Sequence, residues 1–480
     1  MNQLIFERST GNVGPNVFAR LQTTQLLNSF RPAPRFRFDG GERGTAVRDD
    51  GDGAVTPDAS STLWAHQAGV NALALERFDG RILVSGGLDA SIKLWDLEQC
   101  ANPSKAYTYT PVAKIPRSNQ THKFGITHLS FYPFDSAAFL STSYDQTLKV
   151  WATERASLSA SFSLGYKIYT HATSSIASHL LVACGTQHPA VRLVDLRSGS
   201  NVQNLASHKG AILATSWSPR HEHVLATGSV DGTVKIWDIR RAGGVIGMLD
   251  HEDSLGLYHN GLLDTNGKVR VRASAKAHST PVNGLTWTDD GAYIVSAGHD
   301  RRIRVWDAAT GRNTLASFGP SIRNSQLASV TMFTSPVGLT APGKELLFWP
   351  NDTEILVFDL HNGHVVTKLR GTGPAVAGIR SAGGAQRSIK NRIASIVWRG
   401  AGGGGGSGSS GVVMGGANAA GAIFSAHLDG QIRAWMPSLE GEDSEDEDDT
   451  LDGASEERAK KRKALDDVFR GLMGKKITFT

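Results

Sequence analysis

Short apolar–polar–apolar triplets recur along the chain, each running directly into a tryptophan or its substitute. Ile92-Lys93-Leu94 leads into Trp95, and Val234-Lys235-Ile236 leads into Trp237. Alternation with a period of two predicts a strand. A Gly/Asp-rich turn precedes each triplet, which makes the strand the second arm of a hairpin. Segments 211–219 (AILATSWSP) and 281–291 (PVNGLTWTDDG) read as a further, inner strand followed by a turn. Each unit is then about four short antiparallel strands. Such a sheet is apolar on both faces and cannot stand alone, but several arranged radially cover one another.

Five copies are strong: 85–96, 141–152, 227–238, 296–307 and 425–436. In each, an Asp stands six residues before a Trp: Asp89/Trp95, Asp145/Trp151, Asp231/Trp237, Asp300/Trp306 and Asp429/Trp435. A hydroxyl stands four residues before that Asp: Ser85, Ser141, Thr227, Ser296 and Ser425. His66, His122, His208 and His278 lie 28 or 29 residues before their Trp, whereas the last copy has 369–372 (LRGT) where a His is usual. Two weaker copies, 184–199 and 348–363, carry Val194 and Phe358 at the Trp position, and Cys184 and Phe348 for the hydroxyl. The prediction is an all-β, seven-bladed propeller.

These residues resemble the WD40 family. The resemblance implies a structural hydrogen-bond network of His, Ser/Thr, Asp and Trp inside each blade. A buried carboxylate needs donors, and imidazole, hydroxyl and turn N–H groups supply them. Losing several partners together, as in the two weak copies, is coherent, because a half-satisfied network is worse than none. Ring closure is expected from segment 62–65, taken as the outer strand of the last blade.

The domain reading is 1–38 as a helical segment, 39–60 as a linker, 61–437 as the propeller and 438–480 as a charged tail. Leu4, Ile5 and Phe6 form an apolar knot. Pro15 opens a second helix predicted over 15–30, with Phe18/Leu21 and Leu26/Phe30 at helical spacing and a stop at Pro32. Residues 400–420 have flexible-linker composition inside the last blade. The net charge of +5 hides a split: eleven acids and no Lys or Arg lie in 440–457, so the rest carries +16. The acidic run reads as solvated disorder. Lys460, Lys461, Arg462 and Lys463 then resemble a nuclear import signal, and Leu465, Val468, Phe469 and Leu472 could form a short amphipathic helix on a partner. Two cysteines exclude a disulfide framework. No membrane-length apolar run or secretory leader is seen, so a soluble, intracellular protein is expected, and with the import-like motif the expected location is the nucleus.

No catalytic chemistry is expected. The His/Ser/Asp trio repeats in several blades, as packing does and an active site does not. No nucleophile elbow, phosphate loop, metal-ligand cluster or cofactor motif is present. His299 and His427 occupy turn positions where they could face a ligand, and Arg301, Arg302 and Arg304 form a local basic cluster read as a solvated strand face. A sharper mark is 237–241 (WDIRR), with Asp238 and Arg240. A weaker form is 194–197 (VDLR), with Asp195 and Arg197. A guanidinium beside an aspartate presents a rigid fork of donors at a blade edge.

Several stretches, among them 4–22, 128–151, 179–199, 211–244, 283–315 and 432–439, resemble the Cockayne syndrome A family of WD40 substrate receptors for type-4 cullin-RING ubiquitin ligases. The Gly-rich insert, the 39–60 linker and the KKRK tail depart from that family. The resemblance implies a non-catalytic role in transcription-coupled nucleotide excision repair. Leu4, Ile5, Phe6, Phe18 and Leu21, with Asp195, Arg197, Asp238 and Arg240, would dock on the damaged-DNA-binding adaptor. The exposed rim would hold a remodelling ATPase of the Cockayne syndrome B type at a stalled RNA polymerase II. The alternative is a scaffold that binds chromatin or nucleic acid directly, supported by the +16 body but by no basic–aromatic stripe.

Overall fold

The computed structural model describes residues 2–41, 64–100, 105–241, 244–255, 275–371, 392–400 and 421–437. The 39–60 linker beyond residue 41, the 400–420 insert apart from Gly400, and the tail with its acidic run and Lys460–Lys463 lie outside them. Seven small antiparallel sheets form a ring. Blade 1 runs Val70–Leu75, Ile82–Gly87, Ile92–Asp96 and Pro111–Ile115, and blade 2 runs Ile126–Phe131, Ala138–Ser143, Thr147–Ala152 and Ser157–Ser163. Blade 3 (Ile168–Thr173 to Ser200–Ala206) and blade 4 (Ile212–Trp217 to Val245–Met248) follow the same order. Blade 5 (Val282–Trp287, Tyr293–Gly298, Arg302–Asp307) has its fourth position marked by a single bridge, Trp306 to Asn313. Blade 6 runs from Phe333–Thr334 to Val365–Arg370.

The tryptophans hold neighbouring blades together. Trp151 of blade 2 packs with Val84 and Leu94 of blade 1. Trp306 packs with Ala226 and Ile236 of blade 4. Trp435 packs with Ile355 and Val357 of blade 6. Val194 and Phe358 fill the same slot, against Leu140 and Leu148 of blade 2 and against Val295 and Val305 of blade 5. An aliphatic or phenyl side chain covers the interface without an indole N–H to satisfy.

Closure differs from the expectation. The last blade (Ile393–Arg399, Ala422–His427, Ile432–Pro437) takes its fourth strand from β1, Phe30–Pro32, which pairs antiparallel with Ile432–Pro437. Trp64 and Ala65 form no strand; Ala65 N–H donates instead to the Gly430 carbonyl in the last blade's turn. A second short strand, β2 (Phe36–Phe38), runs parallel to Tyr107–Tyr109 of the excursion in blade 1. Phe38 meets Trp95 edge-on at 5.2 Å, stacks on Tyr109 at 5.0 Å and meets Phe424 of blade 7 at 6.0 Å. Residues 30–38 therefore clasp blades 7 and 1, and the ring has no open edge at that seam.

Two helices precede the clasp. Helix α1 is Asn2–Ser9, and α2 is Pro15–Asn28, with Pro15 in its first turn. The second helix ends sooner than predicted, and Phe30 belongs to the closing strand. The cause is tertiary: Leu27 and Phe30 are buried together against blades 6 and 7.

Candidate functional site

Inside the strong blades the repeated residues converge on one hydroxyl. Ser141 Oγ lies 2.7 Å from His122 Nε2 and accepts from Trp151 Nε1 at 2.7 Å. His122 Nδ1 lies 2.8 Å from the Asp145 carboxylate, which only accepts, so the proton sits on Nδ1 and Nε2 accepts from the serine. In blade 5, Ser296 takes His278 Nε2 at 2.8 Å and Trp306 Nε1 at 2.9 Å, and Asp300 takes Nδ1 at 2.9 Å. Blades 1 and 4 insert a hydroxyl: His66 Nδ1 reaches Ser91 and His208 Nδ1 reaches Thr233, which donate on to Asp89 and Asp231. His66 Nε2 with Trp95, and His208 Nε2 with Trp237, complete the sets at Ser85 and Thr227. All four hydroxyls are fully buried, so no substrate reaches them.

Burial raises the cost of charging these carboxylates, but donors outweigh it. Asp145 is held at about 2, with His122 and Thr147 the leading donors, and Asp89, Asp231 and Asp300 are likewise held below the ordinary value. Blade 7 departs from this. Its imidazole is His427, which lies on the second strand and not in a turn, is buried, and sits 2.9 Å from Ser425 Oγ, beside Trp435. Asp429 is paired with Arg433 at 2.7 Å, and burial leaves its carboxyl above the ordinary value.

Of the cations four residues after a turn Asp, only Arg304 is singled out from sequence, and as part of a solvated strand face. Lys93, Lys149 and Lys235 look like the polar half of an alternating strand, yet all three are buried. Their ammonium groups donate to loop carbonyls of Ala65, Gln120 and Ser207, tying down the segment that carries the histidine. Arg304 stands in the same slot and pairs with Asp300 at 2.9 Å with its side chain only 11% exposed, so it is not part of a solvated cluster. Arg301 and Arg302 are exposed. His299 faces protein, 2.6 Å from the Gln326 carbonyl.

The first and third turns of every blade open on one face of the ring, and there Arg240 forms the anticipated fork. Its Nε and Nη2 donate to the two oxygens of Asp238 at 3.0 and 2.8 Å. Asp238 is buried, while the Arg240 side chain is 65% exposed. Side-chain hydrogen bonding with Asp238 raises the Arg240 pKa, and the nearby Glu222 adds to it. Glu222 accepts from the Ser178 N–H and pairs with His223 at 3.1 Å, and His223 stacks on His179, so these groups build the edge around Arg240. The second motif differs. Asp195 accepts the Arg197 backbone N–H, but among the described residues no ion pair joins the two side chains, and Arg197 projects into solvent.

Helix α2 is anchored on the same face. Thr24 Oγ1 accepts the Ala341 N–H in the first turn of blade 6, and the Asn28 carbonyl accepts from Thr367. Phe18 and Leu21 are half-buried there, whereas Ile5 and Phe6 on α1 are 52% and 66% exposed. The arrangement brings α2 and Arg240 to one face but not to one spot, because α2 sits at blades 6 and 7 and the fork at blade 4. Leu4 lies on α1.

Residues 58–96, 113–152, 199–238 and 270–307 match the model of the WD domain, G-beta repeat. They cover the blades in which a histidine precedes the first strand. The fold is an all-β, seven-bladed propeller with four WD40 repeats. It is similar to the WD repeat-containing protein ATCSA-1 of Arabidopsis thaliana, 28% identical over 77% of this chain and 88% of that protein. It is also similar to radiation-sensitive protein 28 of Saccharomyces cerevisiae, 28% identical over 38% of each. The ribosome biogenesis protein ytm1 of Aspergillus niger is 28% identical over 54% of this chain and 56% of its own length. The chain thus spans less than two thirds of the last two relatives.

Proposed function

We propose that this chain is a non-catalytic substrate receptor that docks on the damaged-DNA-binding adaptor of a type-4 cullin-RING ligase. It would present repair and transcription proteins for ubiquitination in the nucleus. One observation carries the reading. Helix α2, which follows the exposed Ile5–Phe6 pair of α1, is anchored on the face of the ring that bears the Asp238-held Arg240 fork, so one broad partner surface can meet helix and fork. Apolar helix anchors supply affinity, and a guanidinium held by a buried carboxylate supplies orientation at low entropic cost. The likeness to ATCSA-1 over most of both chains, and to a protein named for radiation sensitivity, favours repair over ribosome assembly. The receptor would act by proximity, raising the concentration of target lysines near the ligase's own catalytic subunits.

The test is affinity for the purified adaptor. Phe6→Asp, removal of residues 1–14, and Arg240→Lys, which keeps the charge but loses the fork, are each expected to weaken binding about tenfold or more. The melting midpoint should stay within a degree or two. Wild-type affinity in all three variants would overturn the reading.

A further inference from the structure

The other face of the ring, where the innermost strands begin and the second strand turns into the third, contains none of the adaptor-facing residues. Its turn aspartates Asp89, Asp145, Asp231 and Asp300 are all engaged by imidazoles, hydroxyls or arginine. Four exposed cations of this face, Lys123, Lys167, Arg301 and Arg302, are reached by no ion pair among the described residues. Between blades 1 and 2, Arg117, Ser118, Asn119, Lys123 and Phe124 line a hollow of about 570 Å³. Phe124 is 57% and Leu88 41% exposed, and both flank Gly125, whose Cα side lies against Leu88.

The hollow is built rather than incidental. Asp145 accepts the Lys123 N–H at 3.1 Å, and Ser143 Oγ donates to the Phe124 carbonyl at 2.7 Å. Thr121 Oγ1 donates to the Pro116 carbonyl at 2.7 Å and lies 2.9 Å from Ser118 Oγ. The blade 2 network thus fixes the rim as well as the core.

We propose that this hollow takes an acidic segment of a partner protein, which inserts one apolar side chain beside Phe124 with its carboxylates near Arg117 and Lys123. Arg117 and Lys123, which form no ion pair among the described residues, select negative charge, while the exposed Phe124 ring gives an apolar wall that a side chain can cover. Two local cations neutralise too few phosphates for firm nucleic-acid binding, and one ring offers a single stacking platform where such binding uses several. The proposal rests on the receptor reading for its purpose, as the presenting face, and not for its chemistry.

The probe is a short fluorescein-labelled peptide of Glu and Asp around a central Phe-Leu pair, titrated with the full chain by anisotropy. Saturable binding is expected, weakened about tenfold by Phe124→Ala and by Lys123→Glu, and lost when the acids of the peptide are replaced by lysine. Both substituted side chains are exposed, so the fold should be unaffected, and adaptor affinity should remain at the wild-type level. No binding, or binding indifferent to both substitutions, would overturn the proposal. So would a single-stranded oligonucleotide of equal charge that binds more tightly and displaces the peptide. Adaptor docking that fails while the peptide binds as described would remove the receptor reading and leave this site standing.

Discussion

Two imidazoles show what a single buried residue can do to stability. His128, on the innermost strand of blade 2, meets His171 of blade 3 with ring centroids 4.6 Å apart and Nδ1 atoms 3.3 Å apart. Ser130 Oγ lies 2.7 Å from His171 Nε2. His171 is buried and His128 half-buried. Burial lowers His128 to about 4, and burial together with the neighbouring His128 lowers His171 as well. The unfolded chain takes up these protons near the ordinary value of 6.5, whereas the folded chain refuses them. Stability from the pair is therefore complete above that value and is lost as pH falls toward 4. For His128 the loss at pH 5 is about 1–2 kcal/mol, allowing for its remaining contact with solvent. Urea midpoints compared at pH 7 and pH 5 should fall less in His128→Gln than in the unsubstituted protein. Equal slopes would show that the pair is not held neutral.

At the scale of elements, the clasp matters more than its length suggests. Phe30, Phe36 and Phe38 are all buried, between them against blades 6, 7 and 1. Each fully buried side chain of this size is worth about 1.5–3 kcal/mol. Removing residues 1–14 should leave the unfolding midpoint unchanged, while removing 1–40 should cost roughly 5 kcal/mol or more. Calorimetry on the two truncations decides it, and equal stability would mean that the ring closes without the clasp. The blades themselves could be read from sequence because Asp, Trp and hydroxyl recur at fixed spacing, and repetition turns a weak local signal into a strong one. The clasp occurs once and carries no repeat. Pro32 marked a stop, but the strand partner lies some four hundred residues away, and no local pattern encodes it. The buried lysines escaped for another reason: period-two alternation assigns them to solvent, and only the fold shows carbonyls waiting for their ammonium groups. His427 was misplaced because copy seven recruits its imidazole from the strand and not from the preceding loop.

At the scale of the whole molecule, strand length separates the two proposed binding surfaces. Blade strands of five or six residues rise about 3.3 Å each, so the faces stand roughly 16–20 Å apart. That is about twice the screening length at physiological salt, so the field of Arg240 barely reaches the hollow at Phe124. Between the faces lie close-packed interfaces with a buried Trp, Phe or Val in each slot, which transmit strain only if neighbouring blades slide. Two sites coupled neither by charge nor by a bistable element should bind independently. The affinity of the acidic peptide is therefore expected to change by less than about twofold when the adaptor is saturating, and Arg240→Ala should leave it untouched. A coupling of tenfold, about 1.4 kcal/mol, would mean that adaptor docking shifts one blade against its neighbour. The seam between blades 7 and 1, held by the clasp that follows directly from α2, is where such a shift would have to begin, so in the 1–14 truncation, which keeps both α2 and the clasp, any coupling should persist.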